Sequence, residues 1–137
     1  MSDELDRLDA VLMLQVMQSY MTEPMASARN FVRNTLPDGL TKAQIDESHP
    51  PGSEGWAHIF TILIFWETIG GLLKQGLLRE ELAFDTILDA PPWPKFEQFV
   101  SDWRIERDDA RECENFEYTY QRAMAFAAEA RAGTAAD

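Results

Sequence analysis

The sequence has few cysteines and histidines, and each shortage excludes a class of protein. Cys113 is the single cysteine, and His49 and His58 are the two histidines. One cysteine excludes a disulfide scaffold within the chain and favours a reducing, cytoplasmic setting. Neither histidine follows a glutamate by three residues, as the ligand pairs of helical di-metal sites require. The sequence also has no glycine-rich phosphate loop, so we predict no metal site and no cofactor.

Basic residues are also scarce. The chain has 12 Lys and Arg against 24 Asp and Glu, which gives a formal net charge of −12. Nucleic acid backbones and anionic membranes attract a surplus of positive charge, so neither is an expected partner, whereas a basic protein is permitted. The first ten residues, MSDELDRLDA, contain no basic segment followed by an apolar run, and we therefore predict no secretory signal.

Long apolar runs are missing, and the most apolar stretch, Ile59 to Trp66, contains Thr61. A membrane-spanning helix needs about 20 largely uncharged residues. The surrounding segment carries His58, Glu67 and Lys74, so we interpret residues 56–75 as a buried central helix. At helical spacing, one broad apolar face contains Ile59, Ile62, Leu63, Trp66, Ile69, Gly70 and Leu73.

The rest of the chain repeats apolar residues at helical spacing and shows no strand pattern. Further helices are predicted over residues 3–21, 24–34, 80–88, 95–107 and 113–131. Thr41 and Gln44 have the spacing of a capping box, which predicts a short helix from Lys42 to about Glu47. We therefore predict an all-α, single-domain helical bundle of about five main helices around the central helix. Residues 1–132 form the domain, and residues 133–137 form a flexible tail.

Two segments carry a family resemblance. They are FWETIGGLLKQGLLREEL, from Phe65 to Leu82, and ENFEYTYQRA, from Glu114 to Ala123. Together with ARNFV at Ala28 to Val32, they resemble a family of small, all-helical bacterial proteins catalogued only as a domain of unknown function. The resemblance implies a helical fold and names no reaction. Arg79 departs from the family pattern, in which an aspartate usually follows the G-L-L turn, and this puts the capping of the next helix in doubt.

Glu67 is the best single candidate for a functional residue. It follows Trp66 in an apolar helix, and carboxylates in such surroundings are typical of catalytic acids and bases. An ion pair with an arginine from another helix, or a half-exposed position, is the interpretation of Glu67 that we favour. Gly70 and Gly71 indicate either close approach of a neighbouring helix or a gap beside a ligand. Trp66, Glu67, Gly70 and Tyr118 are therefore the candidate ligand-binding residues, and no catalytic residue is assigned.

Two other features, a pair of arginines and the single cysteine, have functional interpretations that the sequence does not favour. Arg29 and Arg33, four residues apart on the second helix, suit a clamp for a carboxylate or phosphate, but a solvated face is the simpler interpretation. Cys113 lies between Glu112 and Glu114, whose charges oppose thiolate formation.

These observations favour a non-catalytic protein that acts through protein–protein contacts, as a regulator or adaptor, with a protein partner or further copies of itself. The alternative is a small-ligand-binding protein or enzyme with a pocket beside the central helix around Glu67. The two hypotheses differ in structure. The first predicts an exposed apolar patch of more than a few hundred Å². The second predicts an enclosed pocket of about 300 Å³ or more with converging polar groups.

Overall fold

The computed structural model describes residues 2–87 and 89–136, and it contains seven helices and no strand within these ranges. The helices are α1 (Ser2–Tyr20), α2 (Glu23–Asn34), α3 (Lys42–Ser48), α4 (Glu54–Lys74), α5 (Glu80–Thr86), α6 (Trp93–Arg107) and α7 (Glu114–Ala136). The predicted all-α class is confirmed, and the arrangement fits a single helical domain.

The predicted helix count is corrected. Five helices have 12 residues or more, but two others, α3 and α5, have seven residues each. Helix α5 ends at Thr86 because Ile87 adopts an extended backbone, with φ −88° and ψ 98°. The segment predicted as a helix over residues 80–88 is therefore helical over Glu80–Thr86 and extended at Ile87, and residue 88 lies outside the described residues.

The C-terminal helix is longer than predicted. It was expected to end near Arg131, but α7 continues to Ala136, so residues 133–136 are helical. A Cβ atom placed on Gly133 would have nothing within 4 Å, so no other part of the fold packs against this position. The flexible tail over residues 133–137 stays a prediction, and Asp137 lies outside the described residues.

Helix α4 lies at the centre of the fold, between α2 and α7. Its buried residues are the seven of the predicted apolar face, Ile59, Ile62, Leu63, Trp66, Ile69, Gly70 and Leu73, so this prediction is confirmed. The core around them includes Phe96, Phe99 and Val100 of α6 and Phe116 of α7, all of them fully buried. Burial of so many large side chains around one helix is the main stabilising term of the fold.

Local sequence sets both ends of α4. The Ser53 hydroxyl accepts a hydrogen bond from the Trp56 amide at 3.2 Å, as an N-cap residue does. At the other end Gly76 has a φ of +70°, which a residue without a Cβ adopts easily. This conformation lets the amide of Leu77 bond back to the Leu72 carbonyl at 3.0 Å, and the helix closes there.

Among the described helices, α4 is the one that is long and apolar enough to cross a membrane by length and composition. The core helix of a soluble protein passes the same test, so this is weak evidence for a span. The seven buried residues of α4 contact the other helices of the domain, which is consistent with a soluble protein.

Arg79, the residue that departs from the family pattern, stands at the N-cap position of α5 and makes no capping hydrogen bond with its side chain. Its Nε atom instead forms an ion pair with Asp9 of α1, at 2.7 Å. The next residue, Glu80, pairs with Arg122 of α7. Charged pairs to two other helices therefore position the start of α5, where the family pattern has a local cap.

Helices α4 and α7 come closest at Gly70. An ideal Cβ atom on Gly70 would lie 2.0 Å from the carbonyl oxygen of Asn115 and 2.6 Å from the hydroxyl of Thr119. No side chain fits at such distances, so close packing of a neighbouring helix explains this glycine. Gly71 is different, because a Cβ there would meet its nearest atom, the Asn115 side-chain nitrogen, at an ordinary 3.6 Å.

We therefore expect alanine to have opposite effects on the free energy of unfolding at the two glycine positions. Gly70→Ala must push α7 away from α4, and we expect a loss of about 2 kcal/mol or more in the free energy of unfolding. Gly71→Ala keeps the contact and removes the flexibility of a helical glycine, so we expect a gain of up to about 1 kcal/mol. Urea denaturation followed by circular dichroism measures both. Equal effects of the two substitutions would contradict the packing argument.

Candidate functional site

Glu67 holds the first turn of α7. Its Oε2 atom accepts a hydrogen bond from the Phe116 amide at 2.9 Å, and its Oε1 atom lies 3.4 Å from the Asn115 nitrogen. These amides lie in the first turn of the helix, where backbone N–H groups have no partner within the helix. Cys113, the residue immediately before α7, has a φ of +55° and is therefore not helical. A carboxylate from α4 thus does what an N-cap side chain does elsewhere, and it also faces the positive end of the α7 dipole.

This capping contact is a third interpretation of Glu67, beside the catalytic one and the arginine ion pair. Sequence reasoning missed it because the two partners are 48 and 49 residues apart along the chain. The signal available was indirect, namely that no Ser, Thr, Asp or Asn immediately precedes Glu114. With its oxygens on backbone amides, the carboxylate has a structural role that needs no ligand.

Thr119 adds a second polar link between the same two helices. It is fully buried, and its hydroxyl lies 2.7 Å from the Asn115 carbonyl and 3.2 Å from the carbonyl of Trp66. A threonine hydroxyl has one hydrogen to donate, which these two oxygens share. Nothing in the sequence pattern singles this residue out, since a threonine in an amphipathic helix is ordinary.

The four predicted ligand-binding residues do not surround one cavity. Trp66 lines a cavity of about 140 Å³ near α2, whereas Glu67 borders a separate depression of about 210 Å³ next to Cys113. Gly70 is covered by α7. Tyr118 is half-buried, with the Lys74 ammonium 5.2 Å from its ring centre. Their role in binding stays a prediction, and the structure supplies a packing or capping contact for each.

Cys113 is partly buried next to Glu67. Burial, followed by the negative charges of Glu67 and Glu112, raises the pKa of the thiol to about 12. The thiolate is the nucleophilic form of cysteine, so the folded protein holds this sulfur in its unreactive form at neutral pH. This agrees with the interpretation of Cys113 drawn from its acidic neighbours.

A polar cluster that the sequence did not predict joins α1, α2 and the segment between α5 and α6. Its centre is Asp89, whose carboxylate accepts a hydrogen bond from the Tyr20 hydroxyl. Arg29 and Arg33 approach the same carboxylate at 3.6 and 3.3 Å. Burial, with the Asp89 hydrogen bond second, raises the pKa of Tyr20, so the phenol remains a donor.

The spacing of Arg29 and Arg33 suits a carboxylate clamp, and in the fold the carboxylate that they face belongs to Asp89, far along the chain. The spacing of the two arginines was the available signal. Their partner could not be predicted from the sequence, because a connector of two prolines and an aspartate does not indicate which helix it crosses. Together with Lys95, Val32, Ile62, Trp66, Ala90 and Pro92, the four residues of the cluster line the 140 Å³ cavity.

An open apolar groove of about 490 Å³ lies between α1, α2 and α4. None of the described residues that line it is charged. Its polar side chains are neutral, and its floor and walls are aromatic or aliphatic. The lining residues are Gln15, Val16, Ser19, Thr22, Pro24, Met25, Phe60, Thr61, Ile64, Phe65, Thr68, Ile69 and Leu72.

Comparison with known proteins gives a family and no activity. A family model described as "Domain of unknown function (DUF4760)" matches residues 12–123. No curated protein and no solved structure matches the chain.

The capping contact makes a prediction for Glu67. Glu67→Ala leaves the first amides of α7 without an acceptor, and we expect it to lower the free energy of unfolding by about 1–2 kcal/mol. Glu67→Gln keeps an acceptor oxygen and loses only the charge, so its cost should be about 0.3–1 kcal/mol. Glu97→Ala, on an exposed position of α6, is the control and should change little. If Glu67→Ala is as stable as the wild type in urea, the capping role is wrong.

The raised pKa of Cys113 makes a second prediction. At pH 8 the thiolate fraction should be about a thousandfold lower in the folded protein than in the unfolded chain. Alkylation by iodoacetamide, followed by mass spectrometry, should therefore be slow in buffer and fast in urea. Equal rates in the two conditions would show that the thiol is neither buried nor opposed by the neighbouring carboxylates.

Proposed function

The chain belongs to the DUF4760 family, a domain of unknown function, and because that family supplies no activity we propose a role from the surface of the molecule. We propose that the protein is non-catalytic and acts as a regulator or adaptor through protein–protein contacts, with a second copy of itself as the first partner. The proposal places it in a bacterial cytoplasm, supported by the single cysteine and by the family resemblance.

The observation that carries the proposal is an apolar surface around the groove. Along α1, Leu8, Val11 and Leu14 are 59%, 52% and 66% exposed, and they follow each other at intervals of three residues. At the groove itself, Phe60 and Ile64 of α4 are 46% and 49% exposed. Single exposed apolar side chains are normal, but a group of five on two neighbouring helices indicates a surface that binds something.

One chain supplies both halves of a contact. The groove has a concave apolar lining to which Gln15 and Val16 of α1 contribute, and the same helix carries the exposed apolar stripe of Leu8, Val11 and Leu14. Most soluble homodimers use the same patch twice around a two-fold axis. A second copy can therefore lay its α1 stripe against the groove of the first, and the first does the same to the second.

The charge distribution supports a second copy over a basic protein. Two chains of net charge −12 repel each other, so they can meet only where their surfaces carry little charge. The groove lining is uncharged, which suits such a meeting and gives a basic segment no carboxylate to pair with. The salt dependence of association distinguishes a second copy from a basic protein, because screening weakens the repulsion between like chains and weakens the attraction of a basic partner.

Two matched substitutions test the proposal. Ile64→Glu introduces a charge into the groove, and we expect it to weaken self-association at least tenfold, on the order of the cost of burying an unpaired polar group. Ile105→Glu introduces the same charge on α6, where the side chain is 80% exposed, and should leave association unchanged. Sedimentation velocity over a range of protein and salt concentrations measures both, with circular dichroism to check the fold.

A wild-type chain that remains a monomer at every concentration would overturn the proposal, as would equal effects of the two substitutions. Association that strengthens with salt supports a second copy.

The alternative of a ligand-binding protein or enzyme with a pocket around Glu67 has less support. The depression beside Glu67 is about 210 Å³, below the size expected for such a pocket, and both carboxylate oxygens already face backbone amides of α7.

A further inference from the structure

The cavity of about 140 Å³ beside Asp89 is chemically unlike the rest of the chain. Acidic residues outnumber basic ones two to one in the sequence, 24 to 12, but three basic side chains and one carboxylate line this cavity. Lys95 is already engaged, since its ammonium donates to the Leu36 carbonyl at 2.6 Å and pairs with Asp38 at 3.0 Å. Arg29 and Arg33 remain, and their two positive charges exceed the single negative charge of Asp89.

The arginines are held in place without being saturated. The Arg29 guanidinium stacks on the Tyr20 ring, 3.9 Å from its centre, which fixes the direction of its donors. Its Nε atom is buried and has no hydrogen-bond partner among the described residues. The distances of 3.6 and 3.3 Å from the two arginines to Asp89 are longer than the roughly 2.7–2.9 Å of charge-assisted hydrogen bonds. Asp89 thus balances their charge without using up their donors.

The remaining walls select the kind of anion. Val32, Ile62, Trp66 and Pro92 give the cavity an apolar and aromatic interior. A cavity of about 150 Å³ is large enough for a benzene ring. One end is open to solvent, because the side chains of Arg33 and Asp89 are 63% and 42% exposed. A molecule with one anionic group and a small apolar body suits this combination better than a purely inorganic ion.

We propose that this cavity binds a small monocarboxylate, with Arg29 and Arg33 as the ligands of its carboxylate and Trp66 against its apolar body. The terminal nitrogens of the Arg29 guanidinium donate to one oxygen of the carboxylate, and the Arg33 fork closes on the second oxygen from the solvent side. Asp89 opposes the incoming charge, so it sets an upper limit on the affinity. The site is independent of the groove that carries the proposed self-association.

The test uses the full ¹⁵N-labelled chain, titrated with benzoate and, separately, with inorganic phosphate. Benzoate should shift the Nε–H signal of Arg29 and the indole signal of Trp66 in nitrogen–proton correlation spectra. Arg33→Ala should weaken benzoate binding at least tenfold, on the order of one lost charged hydrogen bond. Asp89→Asn removes the opposing charge and should tighten binding. Arg111→Ala, on an 81% exposed surface side chain, is the control and should change nothing.

Three results would overturn the proposal. They are spectra that do not respond to millimolar benzoate, benzoate shifts that survive Arg33→Ala undiminished, and binding of phosphate without binding of benzoate, which would leave an inorganic anion site of a different class. Arg33 is the residue substituted because its exposed side chain can be shortened without opening the core, whereas Arg29 supports Tyr20 and its loss would confuse binding with folding.

Discussion

The close contact between α4 and α7 sets the positions of the other elements of the fold. At Gly70 the two backbones approach so closely that a single methyl group would collide with the Asn115 carbonyl. The contact is then fixed along its length by polar groups, with the Glu67 carboxylate on the first amides of α7 and the Thr119 hydroxyl on the Trp66 carbonyl. Since α7 also carries Phe116 into the core, the position of the hydrophobic cluster follows from this contact.

The same contact bears on function. Residues that look catalytic in the sequence, a carboxylate and a glycine in an apolar helix, are those that join two helices. A buried carboxylate is costly unless hydrogen bonds compensate for the lost water, and the end of a helix supplies those bonds. The surfaces that are open to a partner or a ligand lie on the other side of α4, where α1 and α2 leave an uncharged groove and a cavity with arginine donors.

The two surfaces differ in charge, since the groove lining is uncharged and basic side chains predominate around the cavity. An acidic chain is soluble partly because its copies repel each other, so an uncharged groove and a positively lined cavity are exceptions that need a physical reason. We propose self-contact for the first and recognition of a small anion for the second. The two explanations rest on different residues, so that either can fail without the other.

The helical class, the central helix and its buried face could all be predicted from the sequence, because periodicity and capping residues act over one or two turns. Ser53, Thr41 with Gln44, and Gly76 set helix ends where they were expected. The short α5, the role of Glu67 and the cluster of Tyr20, Arg29, Arg33 and Asp89 became visible only in the folded chain. These depend on partners tens of residues away, and no local pattern records which helix a connector will cross or which side chain will meet an uncapped helix end.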